Sequence, residues 1–201
     1  MSPFTVLESR AVPLALANFD TDQLVPARFL ARKREDGFAM ALFQDLKARA
    51  QKAGTVFVTE RPEYADAKIL LAGRNFGCGS SRESAVWALV DAGFRAVVAP
   101  SFGDIFFGNA FKNGLLPIVL SQDEVESLTL AVEQDPAVHM LIDLADQAVR
   151  LGGQLLRFDV DPLRKLLLLN GLDELDFTLR HASEIAAFAQ QYQKRQPWLG
   201  S

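Results

Sequence analysis

Little in this chain would let it hold a metal, cross a membrane or bind a polyanion. Cysteine occurs once, at Cys78, which excludes an internal disulfide and an iron-sulfur cluster held here through several thiolates. The only histidines, His139 and His181, are far apart and have no ligand spacing to Cys78, so no metal site is expected in this chain. No stretch approaches the roughly 20 apolar residues of a membrane helix. The N-terminus lacks a basic segment leading into an apolar core and a cleavage site, so a cytoplasmic protein with no membrane partner is expected. Basic residues are outnumbered 21 to 25, and the net charge of −4 disfavours nucleic acid, whose phosphates need a basic surface. Any anionic ligand must be held by local arginines. No repeat and no low-complexity tract interrupts the sequence.

With 201 residues, 49% of them hydrophobic and 23% charged, the chain suits one soluble domain. Its organising stretch is Arg74-Asn75-Phe76-Gly77-Cys78-Gly79-Ser80-Ser81-Arg82-Glu83-Ser84. Ile69 to Ala72 before it reads as a buried strand and Ala85 to Val90 after it as a helix, so the polar segment is a strand-to-helix turn. Gly77 and Gly79 permit positive φ and remove the Cβ atoms that would keep a ligand away. The free amides of the first helical turn, with Ser80, Ser81 and Arg82 beside them, make a place for a carboxylate or phosphate. A phosphate- or nucleotide-binding module is the alternative use of such a turn. Against it, no Lys-Ser/Thr pair follows the glycines and no Gly-x-Gly-x-x-Gly is completed. A thiol-redox role for Cys78 is a third reading, since a helix N-terminus lowers a thiol pKa, but no resolving cysteine exists.

Elsewhere, Thr5 to Val12 reads as an edge strand ended by Pro13. Asn18-Phe19-Asp20-Thr21-Asp22-Gln23-Leu24-Val25-Pro26 has the composition of a turn, although two close carboxylates suit a hard cation or a neighbouring base. Arg28, Arg32, Lys33 and Arg34 form a basic cluster that reads as a solvated face. Helical spacing predicts an amphipathic helix over 38–52 with Gly54 as its stop, followed by a β-rich stretch at Thr55–Thr59. A strand at Ala96–Ala99, a helix at Ile105–Asn113 closed by Gly114 and a strand at Leu116–Leu120 continue a βαβ pattern. Phe102, Phe106, Phe107 and Phe111 read as core, because no basic residue is interleaved with them. Ser121 and Glu124 form a capping box for a helix that runs to Asp135-Pro136. Val138–Asp143, Ala148–Leu151 and Gln154–Phe158 read as strands, the last two joined through Gly152-Gly153 as a hairpin. Asp161-Pro162 opens a helix closed by Asn170-Gly171, and Ser183–Arg195 is the final helix.

Asn75-Phe76-Gly77-Cys78-Gly79-Ser80-Ser81-Arg82-Glu83 resembles the signature of the small-subunit family of 3-isopropylmalate dehydratase, and so does Asn18-Phe19-Asp20-Thr21-Asp22 with Pro26. Ala99-Pro100-Ser101-Phe102-Gly103-Asp104-Ile105-Phe106 agrees, as do Gly108-Asn109, Gly114-Leu115-Leu116-Pro117 and Asn170-Gly171-Leu172-Asp173. The resemblance implies an α/β fold, a swivelling β/β/α domain like the mobile C-terminal domain of aconitase. It would span 1–201 as one domain, with a C-terminal helical extension over about 183–201. It implies a partner too: a large subunit that carries a 4Fe-4S cluster, with no cofactor bound by this chain. Carried over position by position, Ser80 becomes the catalytic base and Ser81 and Arg82 its substrate-binding neighbours. Asp22 matches an acidic residue near the site and counts among the substrate-binding candidates, as does Arg32, which would hold a carboxylate.

The implied chemistry moves a hydroxyl between adjacent carbons of a small malate-type dicarboxylate. A proton α to a carboxylate must be removed and hydroxide expelled, so a base and a Lewis acid are needed. A serine serves as base only if its alkoxide is stabilised, which helix N-terminal amides and an adjacent arginine can do. One position departs from the family. It commonly has His, sometimes Gln, after Arg-Glu, whereas this chain has Ser84, a shorter hydroxyl. Together with the Phe29-Leu30-Ala31-Arg32 segment, where relatives discriminate substrates, this leaves homoaconitate, citraconate or a dimethylmaleate-like acid open as alternatives to isopropylmalate.

Overall fold

A single residue, Arg10, separates two strands that go to different sheets: β1 (Val6–Ser9) and β2 (Ala11–Leu14). The expected single strand over Thr5–Val12 is therefore two, and Pro13 lies inside the second rather than ending it. The computed structural model, which describes residues 1–80, 82–196 and 198, explains both. The crossover is pinned by Ser9 Oγ, which accepts the Lys68 N–H at 2.9 Å, and by Arg10, which donates to the Glu63 carbonyl at 3.3 Å. Pro13 is tolerated because β2 is the edge strand of its sheet, where a missing N–H need not break the ladder.

That sheet is parallel, in the order β2, β3 (Ile69–Ala72), β4 (Ala96–Ala99), β5 (Leu116–Val119). Every residue of β3 and β4 is buried, the unbroken apolar pattern of strands covered on both faces. Between β2 and β3 come the short helix α1 (Thr21–Leu24) and α2 (Gln44–Lys52). After β3, β4 and β5 come α3 (Glu83–Asp91), α4 (Asp104–Lys112) and α5 (Gln122–Gln134). Helix α5 packs across β2, β3 and β4, while α3 packs on α4. The second sheet is antiparallel, with β1 beside β6 (Met140–Asp143), then β7 (Ala148–Leu151) and β8 (Gln154–Arg157). Strand β6 alternates buried and half-buried residues, as a sheet with one face on the core should. The result is the expected β/β/α architecture. Helices α6 (Pro162–Asn170), α7 (Glu174–Arg180) and α8 (Ala182–Arg195) complete the chain. Among the described residues no helix is long and apolar enough to cross a membrane.

Two local expectations fail where tertiary packing overrides sequence pattern, and one helix carries a local signal that was passed over. The helix expected over 38–52 is a 3-10 turn at Ala39–Ala41 followed by α2, with a break at Phe43, whose φ is 57°. Phe43 is fully buried, its ring 5.6 Å from Phe19 and 5.4 Å from Phe57, and its N–H donates to the Leu24 carbonyl at 2.9 Å. Burying that ring is worth about 3 kcal/mol, enough to hold a left-handed residue that costs about 1 to 2. The β-rich stretch at Thr55–Thr59 forms no strand; Phe57 joins the aromatic core and Val58–Glu60 makes a 3-10 turn. Helix α7 went unread, although Asp173 and Asp176 form a capping box, with the Asp176 N–H donating to Asp173 Oδ1 at 2.7 Å. Phe106 and Phe111 are buried, and Phe102 and Phe107 pack against the core, as expected.

The cap of α5 can be tested directly. Ser121 Oγ accepts the Glu124 N–H while Glu124 Oε2 accepts the Ser121 N–H. Ser121→Ala should lower the free energy of unfolding in urea by about 1 kcal/mol with an unchanged denaturant slope; no loss would mean that the cap is satisfied by water.

Candidate active site

Strand β3 delivers the chain to a turn that is pinned from beneath before α3 begins. Phe76 is fully buried, stacked on Phe19 at 5.7 Å and edge-on to Phe106 at 5.3 Å. Gly77 and Gly79 follow at φ 70° and 92°. A Cβ on Gly77 would lie 2.3 Å from the Phe106 ring, whereas one on Gly79 would meet nothing nearer than Asp20 Cβ at 3.5 Å. Gly77 is therefore required by shape and by dihedral, Gly79 by dihedral alone.

The Asn18–Thr21 segment clamps the turn from the side. The Gly77 N–H donates to the Phe19 carbonyl at 2.7 Å, the Thr21 N–H to the Cys78 carbonyl at 2.9 Å, and Thr21 Oγ1 to the Ser80 carbonyl at 3.1 Å. Asn18 and Asn75 both adopt positive φ, and Asn75 Nδ2 donates to Asn18 Oδ1 at 2.9 Å. The stretch read as a plain turn is a capped one. Asp20 Oδ1 accepts the Gln23 N–H at 2.7 Å and Gln23 Oε1 accepts the Asp20 N–H at 2.9 Å, which starts α1. The Asp-x-x-Gln spacing was the available signal.

Helix α1 then presents Asp22 to Arg82, and the two form an ion pair through Oδ1 and one terminal guanidinium nitrogen. Arg82 stands at the N-cap of α3 and gives no side-chain bond to the first-turn amides. Ser80 is exposed, and its hydroxyl bonds to no other described residue. Ser81 lies outside the described residues. Arg32 is held elsewhere, donating to the Asp36 carbonyl and to Met40 Sδ, both at 3.0 Å. The basic cluster is largely committed within the chain: Arg28 pairs with Asp45, and Arg34 grips both oxygens of Asp91 at 2.7 Å. The thiol reading of Cys78 is corrected, because burial, and then the Asp20 charge, push the thiol above its ordinary range. A thiolate is disfavoured there.

Behind the turn, Glu83 Oε1 accepts from Asn113 Nδ2 at 2.8 Å, and Asn113 Oδ1 accepts from Trp87 Nε1 at 3.0 Å, tying α3 to the end of α4. No sequence spacing announces that contact. Ser84 is buried, and its hydroxyl has no partner among the described residues. The turn itself is open. A cavity of about 360 Å³ lies away from it, between Met1, Phe111, Arg164 and Leu172.

Comparison with known proteins decides the family. Residues 1–123 match the profile described as Aconitase C-terminal domain, and residues 177–200 match that of the C-terminal domain of the 3-isopropylmalate dehydratase small subunit. A 3-isopropylmalate dehydratase small subunit from Francisella philomiragia is 46% identical over 94% of this chain and 98% of its own. One from Neisseria meningitidis is 44% identical over 99% of both. The chain belongs to the 3-isopropylmalate dehydratase small-subunit family. Its fold agrees: the crystal structure of a 3-isopropylmalate dehydratase from Methanocaldococcus jannaschii superposes with a TM-score of 0.67 at 25% identity, covering 92% of this chain and 99% of that one. The Asn18–Thr21 segment and the Asn75–Ser80 turn, which carry the family resemblance, are clamped together by the fold.

The two glycines separate cleanly by experiment. Gly79→Ala should destabilise by about 1 to 2 kcal/mol, the cost of a left-handed residue with a Cβ. Gly77→Ala adds the clash with Phe106 and should lose about 1 to 3 kcal/mol more. Urea unfolding of both variants measures the difference, and equal losses would show that Phe106 moves aside freely.

Proposed function

We propose that this chain acts as the small subunit of a hydro-lyase of leucine biosynthesis. The enzyme interconverts 2-isopropylmalate and 3-isopropylmalate by dehydration and rehydration, in the cytoplasm, and only with a large subunit. The observation that carries the reading is 44 to 47% identity to known small subunits over 94 to 99% of the chain. The open turn supports it, since Ser80 and Arg82 share a surface that a second chain can cover.

A 4Fe-4S cluster takes several thiolates. This chain offers one cysteine, so the residues here do not fit a cluster and we assign it to the large subunit. Lewis-acid assistance to the departing hydroxyl is thus the partner's part. The remaining work falls to this chain. Ser80, as alkoxide, takes the proton α to a substrate carboxylate and returns it in the reverse direction. The N-terminus of α3, equivalent to about half a positive charge, and the Arg82 guanidinium stabilise that alkoxide. Asp22 engages one nitrogen of Arg82; with five N–H donors on the group, the rest remain for a carboxylate. Asp22 is in this reading a positioning residue. Ser81 hydrogen-bonds the substrate. Arg32 reaches a second carboxylate by giving up its bonds to the exposed Asp36 and Met40. Closure by the large subunit excludes water and strengthens each of these contacts.

Ser80→Ala separates binding from chemistry at one oxygen. Folding, assembly and KM should be preserved, while kcat falls by about 10²- to 10⁴-fold, the usual contribution of a general base. Ser81→Ala should cost less in kcat and more in KM. Both are read with the large subunit present, from the ultraviolet absorbance of the unsaturated intermediate. Ser80→Ala with more than about a tenth of wild-type kcat lies outside that range and rejects the assignment.

Arg82→Lys keeps a charge for Asp22 but loses the planar two-point grip. KM should rise, with a loss of about 2 kcal/mol in kcat/KM. Kinetics within twofold of wild type would return Arg82 to a structural role.

A further inference from the structure

Every residue of α8 is exposed, across the whole 14-residue helix. That is unlike α5 and α6 before it. Helix α5 buries Val125, Leu128, Thr129 and Val132, and even the short α6 buries Leu168. A helix of this length standing in water is marginal, because nucleation is costly and stability in proteins comes mainly from a buried apolar face. Yet the sequence is written for a helix. Glu184 stands in the first turn and Lys194 and Arg195 in the last, which suits the helix dipole. Ile185, Phe188 and Tyr192 recur at helical spacing on one face, with Phe188 and Tyr192 stacked at 5.9 Å. Just before it, Leu175 and Leu179 share a face of α7, and Trp198 follows it.

These side chains are 44 to 76% exposed. At roughly 200 Å² of surface per large residue they present on the order of 700 Å², against about 800 Å² per partner in a standard stable interface. The area is close to that of one side of a complex. What covers it follows from how the chain divides. Residues 1–123 match a domain of aconitase, whereas 177–200 match a separate profile described for the small subunit of 3-isopropylmalate dehydratase. A domain within a longer chain is held beside its neighbours by covalent linkage. The same domain on a separate chain must be held by contact alone, and the added segment carries the uncovered apolar surface.

We infer that α7 and α8 form the docking surface for the large subunit, with Ile185, Phe188 and Tyr192 seated in an apolar groove on it. The inference rests on the two-subunit reading above. The contact holds the small subunit while the glycine turn opens and closes over the substrate, so it governs assembly and leaves turnover alone.

The test uses the full-length chain with Ile185→Ala, Phe188→Ala and Tyr192→Ala together. All three are exposed and alanine favours helix, so the melting temperature of the isolated variant should match wild type. Titrated into the large subunit, the variant should need at least 30-fold more protein for half-maximal activity, with kcat at saturation within twofold of wild type. Amides of α8 should exchange rapidly in the isolated chain and become protected when the large subunit is added. Half-saturation within threefold of wild type, or α8 amides left unprotected in the complex, would overturn the inference. So would a variant that loses only self-association in sedimentation, which would make a second copy the occupant. If wild type assembles and protects α8 without turnover, the docking stands and the catalytic reading falls.

Discussion

Everything at the site depends on the stack of Phe19 on Phe76. The two rings belong to segments far apart in sequence, and their burial brings the Asn18–Asp22 stretch against the glycine turn. About 3 kcal/mol for each buried ring outweighs the left-handed backbone that the geometry demands. The positive φ values of Asn18, Asn75, Gly77 and Gly79 cluster within this one joint. Asparagine is used at the two positions where its side chain can also bridge the segments, and glycine where a Cβ would strike Phe106 or strain the turn. Hydrogen bonds from Gly77 and Thr21 then fix the register.

The same joint explains the electrostatics. A chain of net charge −4 can hold an anion only through locally placed positive groups. Three guanidiniums are committed within the chain: Arg28 to Asp45, Arg34 to Asp91, Arg82 to Asp22. An exposed pair such as Arg28–Asp45 contributes little stability. The Arg82 pair differs in what it leaves free, because Asp22 occupies one nitrogen and α1 holds that carboxylate in place through the Asp20 cap. Orientation of the guanidinium is thereby set before any ligand arrives, which reduces the ordering cost of binding.

The sequence was most legible where local chemistry and packing agree. Ile69–Ala72, Ala96–Ala99, the Ser121–Glu124 box and the Gly152-Gly153 hairpin appear as expected, because each is specified by burial, a cap or a turn residue within a few positions. It misled where a distant ring decided. Phe43 breaks the expected helix, and Phe57 leaves the expected strand, both to join a core that no window of sequence displays. The Arg10 crossover between sheets was hidden for the same reason, since the Lys68 and Glu63 contacts that fix it lie in another segment. At the site, the glycines and Arg82 could be read from spacing. Thr21 and Asn113 could not, because their role exists only once the two motifs are folded together.

On the proposed function, an open turn on an otherwise well-packed chain follows from dividing one active site between two molecules. In its proposed role as base, Ser80 must be shielded from water during proton transfer and reachable by substrate before it, which calls for a site that opens and closes. Placing the base on a separate body solves both by motion, but removes the covalent tether that keeps the halves at high effective concentration. A separate subunit therefore needs a contact that persists while the site opens. Such a contact should lie on elements that the core does not use, and α7 and α8 bury no residue of their own and carry the large exposed apolar side chains Leu175, Leu179, Ile185, Phe188 and Tyr192.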